Sequence, residues 1–469
     1  MKSLLTGICI LILAASAYAQ KEQPLPTDLP TYGPQNPLRA SDVKTVKLDN
    51  GLTVWLVSRP GFPKVAFSIS VDGGLAADPS DRPGLSELFA KVLGQGTKTR
   101  SAKQIAEEIQ SAGGDLYSFS SRDRTSVTTN VLSSKMEAAL GVLADVLENS
   151  SFPDSEVAVA KKNASDELRQ NEAQPSFQAS RALARVMFPG NPYSVVAPTQ
   201  ESLALMTPAE LRVEYARRFR PDHAVLVAVG DFEMAKMTAL IQAKLGGWKA
   251  PSTPAVAAAP KPSGAPAHSI YFVARPNSVQ STLLFAAFGP LRGDADYEAT
   301  EVANAIYGGI FSSRLVLNIR EDKGYTYSPS AFVQTLKSAG LVRTQADVRN
   351  AVTGASFNEI SYELNRVATT DPTDEELGKA KRFLLGIEAI QLQSSQALAG
   401  ELAGLWGDGL TPDEIGNYGK KVAGVSAADA DAAAQKYFPA SRMTIVAVGE
   451  EKVIRDSLAP FGLPIQAAP

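Results

Sequence analysis

The 469-residue chain contains two histidines and one cysteine. A mononuclear zinc site usually takes two or three His or Cys ligands. Here His223 and His268 stand far apart, and Cys9 lies in the N-terminal segment. A self-sufficient zinc enzyme is therefore not expected. A basic excess is missing too, because 46 Lys and Arg face 49 Asp and Glu, a formal net charge of −3. A chain so balanced has no surplus to neutralise phosphates, which argues against a nucleic-acid binder. Beyond the N-terminus no apolar run is long enough to span a bilayer. The N-terminal run itself, Leu4 to Leu13, is also too short. It follows Lys2 and precedes Ala17-Tyr18-Ala19, a small-x-small cleavage site. Residues 1–19 therefore read as a signal peptide cleaved before Gln20, which would make the protein exported and periplasmic. Cleavage would remove Cys9 and leave a chain without disulfides, held by core packing alone.

What is present is a duplication. Residues 20–40 are Pro-rich and polar and read as an extended arm. Residues 249–267, KAPSTPAVAAAPKPSGAPA, have no period and no bulky apolar residues and read as a linker. It separates two blocks, 41–248 and 268–465. Ala224 to Gly230 (AVLVAVG) answers Met443 to Gly449 (MTIVAVG). Phe219 and Phe438, and the Pro-containing helix starts at Pro153 and Pro372, share that spacing. A period this long means duplicated domains, not a solenoid. Strands are expected over 46–57 and 64–71, answered by 269–274 and 282–288, with a further strand over 124–132. Helices are expected over 84–93 and 135–147 and from Ser155 past Leu168, answered by 297–307 and by a helix capped at Thr373 with Glu376 as its box partner. The fold class is α+β: two homologous domains around a cavity, each an antiparallel-rich sheet with helices on one face.

Two strings carry a resemblance. The first is Gly84-Leu85-Ser86-Glu87-Leu88-Phe89-Ala90-Lys91-Val92-Leu93-Gly94-Gln95-Gly96-Thr97. The second runs Gly308-Gly309-Ile310-Phe311-Ser312-Ser313-Arg314-Leu315, then Asn318 through Arg320 and Gly324 to Tyr327-Ser328. Together with the order of elements, they resemble the M16 metallopeptidases (pitrilysin/insulinase, processing-peptidase-like) over about residues 40–460. The resemblance implies the LuxS- and processing-peptidase-like fold. In active members the first string carries H-x-x-E-H. Its histidines, four apart on one helix face, clamp Zn²⁺, and its Glu activates the bound water. Here the first His position is Glu87, the base position is Ala90 and the second His position is Lys91. The family's third ligand aligns with Glu167. Lys91 would put an ammonium where a dication should sit, and an ion pair with Glu167 or Glu87 is expected instead. No metal is therefore expected in this chain, although a metal held by Glu87 and Glu167 with a second site stays open.

The second string is intact. The resemblance assigns Arg320 and Tyr327 to holding the scissile carbonyl and its oxyanion. Independently, Ser313 to Asp322 has helical character, Gly324 suits the residue that ends it, and Tyr325 to Val333 alternates as a strand. A guanidinium and a phenol aimed at one oxygen can each contribute about 2.7–4 kcal/mol to transition-state stabilisation. A dipole-favoured Arg and a packed Tyr would also account for the pair. His223 reads as a turn residue and His268 as exposed at the linker end. Gly308-Gly309 lacks the Lys-Ser/Thr of a phosphate loop and reads as a helix break. Asp371 to Glu376 reads as a helix start.

The implied function is a non-catalytic subunit of an exported M16 peptidase, inactive alone. It would supply Arg320, Tyr327 and half of a peptide chamber to a zinc-bearing partner subunit. The zinc would sit in that partner, and an unfolded peptide would add to a sheet edge. The alternative is a catalytically dead homologue acting as a structural or peptide-binding scaffold.

Overall fold

The computed structural model describes residues 42–469. The expected signal peptide with Cys9 and the arm over 20–40 lie outside the described residues. Among the described residues no helix is long and apolar enough to cross a membrane.

The first half forms a six-stranded sheet in the order β1-β2-β6-β3-β5-β4. Its strands are β1 (Lys44–Lys47), β2 (Thr53–Ser58), β3 (Lys64–Asp72), β4 (Leu116–Ser120), β5 (Arg124–Leu132) and β6 (Ala224–Gly230). The second half repeats it as β12-β7-β11-β8-β10-β9, with β7 (Ile270–Ala274), β8 (Gln280–Gly289), β9 (Ser330–Thr335), β10 (Gly340–Arg349), β11 (Thr444–Gly449) and β12 (Ile465–Ala467). In each sheet the VAVG strand pairs parallel on one side and antiparallel on the other. The outer edges differ. β1 joins antiparallel through a hairpin, whereas β12 joins parallel from the C-terminus. The strand expected over 46–57 is thus broken in two, because Asn50-Gly51 turns the chain with Gly51 at φ +93°.

β6 and β11 are buried along their whole length. A strand reads as one apolar run when both of its faces are covered. One face of each sheet packs on its own half's helices. The other face takes a helix from the opposite half. Helix Ser395–Gly407 lays Leu398, Ala399, Leu402 and Ala403 on Trp55, Val57, Val225, Val227 and Val229. Helix Pro175–Met187 lays Ala179, Ala182, Leu183 and Met187 on Leu284, Ala286, Val446 and Val448. The apolar positions recur at helical spacing, and alanines let helix and sheet approach closely. Residues 249–267 carry no helix or strand. They are pinned where the Thr253, Ala259 and Pro260 carbonyls accept bonds from Arg220, Ser338 and Asn191.

Candidate functional site

The helix carrying the degenerate motif spans Leu85–Val92. Gly84 precedes it at φ +85°, and a Cβ there would come 2.4 Å from Pro198 Cβ. Glycine is required on both counts. The Asp78 carboxylate accepts the Gly84 and Ser86 N–H groups at 3.0 Å each, which satisfies two free donors of the helix start. Arg218, fully buried, pairs with Asp78 at 3.0 Å and Glu214 at 2.8 Å. Burial pushes the Asp78 carboxyl up, and Arg218 pulls against it. The helix's inner face seats Phe89 on Phe152 at 5.4 Å between centroids and edge-on to Phe219 at 5.3 Å. The Gly-Leu frame of the motif therefore builds a rigid, buried platform.

The outer face presents Glu87 and Lys91. Lys91 Nζ donates to Glu167, which comes from helix Asp154–Glu172, and lies 3.9 Å from Glu87. The ammonium thus stands between the two carboxylates that a metal would need. Ala90, at the base position, has no group to take a proton. These residues do not fit a zinc ion, and among the described residues no three His, Cys, Asp or Glu gather to hold one. Burial pushes the Glu87 carboxyl up against the pull of Lys91, and Glu167 and Asp78 raise it further.

Around this triad lies a cleft of about 600 Å³ whose wall includes β4. The Ser118 hydroxyl donates to the Ala90 carbonyl at 2.6 Å, tying β4 to the motif helix. Tyr117 and Phe119 line the cleft with rings stacked at 5.8 Å. β4 ends its sheet, so among the described residues its outer edge has no partner strand. An open edge flanked by aromatic rings can take an extended peptide by backbone pairing. Sequence reasoning passed over this strand; the Tyr117-Ser118-Phe119 alternation was the available signal.

In the second half, Gly308 and Gly309 end helix Tyr297–Asn304 through a π-helical turn. A Cβ on Gly308 would come 2.8 Å from Ala331 Cβ, so the helix end abuts β9 there. Arg314 is structural: its buried guanidinium forks onto Glu376 at 2.7 and 3.0 Å. Leu317–Asp322 forms a second π-helical turn, and Gly324 closes it at φ +61°. Tyr327 lies in the loop ahead of β9, not two residues into a strand. Pairing of β9 with β10 begins only at Ser330, after Pro329, which has no N–H to give. Arg320 and Tyr327 do come together. The guanidinium lies 4.3 Å from the Phe311 ring and 5.0 Å from the Tyr327 ring, held between two exposed aromatics. Neither residue lines the cleft around Lys91, which is lined by first-half residues. His223 sits in a turn with Nδ1 3.1 Å from Asp72, which also pairs with Lys337 at 2.9 Å. His268 is half-buried, not exposed; its ring meets the Met443 carbonyl at 2.6 Å, because the chain there enters β7 beside β11.

Known proteins carry the same architecture. The family model described as insulinase (peptidase family M16) matches residues 53–196, and that described as peptidase M16 inactive domain matches 206–384. An uncharacterized zinc protease of Streptomyces coelicolor is 25% identical over 381 residues, covering 80% of this chain and 83% of that protein. The zinc protease YmxG of Bacillus subtilis, also uncharacterized, is 24% identical over 363 residues, 76% and 86% of the two chains. Among solved structures, a peptidase M16 inactive domain from Pseudomonas fluorescens superposes with TM-score 0.81 at 24% identity, covering 87% of this chain and 98% of that one. A protease from Helicobacter pylori reaches 0.82 at 17% identity, covering 88% and 100%. These two share the fold. The two family models, in chain order, cover more than two thirds of the sequence, and the chain belongs to the M16 peptidase family.

Proposed function

We propose that this chain is the non-catalytic subunit of an exported M16 zinc metallopeptidase. It supplies Arg320, Tyr327 and half of a peptide chamber to a partner subunit that carries the zinc. The observation that carries this reading is a contrast. The Lys91 ammonium closes the metal position between Glu87 and Glu167, while Arg320 and Tyr327 stack together outside the lining of that cleft, Tyr327 exposed and Arg320 partly so. A donor pair with no metal of its own to serve is suited to a second chain's site. Naming of the relatives as zinc proteases supports a proteolytic context. The open edge of β4 supports a peptide as the occupant. The first nineteen residues support export.

The test is a peptidase assay of the purified chain alone and mixed with a zinc-bearing M16 chain of the same organism. Activity is expected only in the mixture and should be lost on chelation. It should fall about 10²–10³-fold in Arg320→Ala or Tyr327→Phe, as for a lost oxyanion donor. A mixture indifferent to both substitutions would leave the scaffold alternative. Chelator-sensitive activity of the chain alone would remove both readings.

A further inference from the structure

A second cleft, of about 460 Å³, lies between the halves and shares Glu87 and Ser120 with the Lys91 cleft. The β4–β5 turn forms one wall, and Gln334 to Leu336 with Arg292 and Asp408 form the other. Its acids are all engaged. Glu87 faces Lys91. Asp123 accepts the Tyr193 hydroxyl at 2.6 Å and the Lys337 N–H at 3.1 Å. Asp408 stands 3.9 Å from Arg124 and 3.8 Å from Arg292. Arg292 also holds Glu401.

Two cations are not so matched. Arg122, half-buried in the cleft wall, donates Nη1 to the carbonyls of Tyr193 and Val195. Among the described residues it has no carboxylate at ion-pair distance; Asp123 acts on it only from further off. Arg343, behind Gln334, donates to Gln334 Oε1 at 3.0 Å and Ser180 Oγ at 3.4 Å, and its buried Nε has no partner among the described residues. Burial pushes both guanidiniums down, Arg343 to about 10, with Arg122 adding to the effect on Arg343. Neighbouring, partly desolvated cations without an anion are costly. A planar carboxylate matches the guanidinium fork and would complete the site.

We propose that this cleft binds a carboxylate of the peptide, an Asp or Glu side chain or the free C-terminus, just beyond the stretch that pairs with β4. This rests on reading the chamber as a peptide site. Arg122 is the contacting group and Arg343 reinforces its field.

The experiment is fluorescence anisotropy of the full chain with a rhodamine-labelled Thr/Val/Ser nonapeptide. The probe is made with Asp or Asn at one scanned position and with a free or an amidated C-terminus. The carboxylate form should bind about tenfold tighter than its neutral counterpart. The Asp/Asn arm and the acid/amide arm tell which carboxylate is read. That ratio should fall to near one in Arg122→Gln and fall in part in Arg343→Gln. Arg122→Lys, which keeps charge and loses the fork, should retain part of it. Thermal melting confirms that each variant is folded. Equal binding of charged and neutral forms, or a ratio unchanged in Arg122→Gln, overturns the inference and leaves the peptide chamber standing. No binding by any form overturns both.

Discussion

Lys91 places a monocation where the motif would hold a dication, and the helix keeps its glycine start and its apolar seat although Glu87 and Ala90 also depart from the motif. The platform under it predicts a direct test. A chain carrying Glu87→His, Ala90→Glu and Lys91→His together, with Glu167 native, should take up about one zinc per chain, measured by metal analysis after dialysis. The same chain with Lys91 kept should take up none. The Lys91 ion pairs themselves are about one-third exposed or more, so Lys91→Met should move the urea midpoint by less than about 1 kcal/mol equivalent. Arg314 and Glu376 behave oppositely. The Arg314 side chain is only 4% exposed, and Glu376→Gln leaves its charge half-matched, costing about 3 kcal/mol. Arg314 holds the Glu376 carboxyl down at about 2, well below its ordinary value. Its contribution is therefore present above the ordinary carboxylate range and lost as pH falls from about 4.5 toward about 2. Glu376→Gln should flatten that acid limb of the stability curve.

At the scale of elements, the motif helix depends on how it starts. Gly84→Ala forces a Cβ into the left-handed region and against Pro198. It should cost at least about 1–3 kcal/mol by urea unfolding. A second expectation concerns Glu388 on helix Asp374–Gln391, which lies near Glu401 and Arg292. Burial pushes its carboxyl up to about 7, and Glu401 adds to this while Arg292 opposes. The folded state thus holds a proton that the unfolded state has shed. That stability is fully present below about pH 4.5 and lost as pH rises through about 7. Melting temperature should decline from pH 5 to pH 8, and Glu388→Gln should reduce the decline.

In the whole molecule the two halves each cover the other's sheet. Without the second half, Trp55, Val57, Val225, Val227 and Val229 would lose their cover, an apolar face of the kind that aggregates. Calorimetry of the full chain should therefore show one transition. Leu402→Ala should shift that transition as a unit, at a cost of about 2–5 kcal/mol. The duplication, the VAVG strands, the Thr373 capping box and the Gly324 turn were all legible along the chain. Each is written in local residue order: periodicity, a cap three residues from its partner, a glycine after a helix. The loss of the zinc ligands was legible for the same reason, being a matter of which residues fill Glu87, Ala90 and Lys91. Other features were not. Ser395–Gly407 crosses to the first sheet, and Arg122 finds Arg343 across the gap between halves. No local pattern encodes such meetings, because they arise from burying apolar faces of two distant segments together. Residue order alone showed which residues fill the motif's metal-ligand positions, because that frame is local; the packing of distant segments decided how each half covers the other's sheet and left Arg122 and Arg343, among the described residues, without a carboxylate at ion-pair distance.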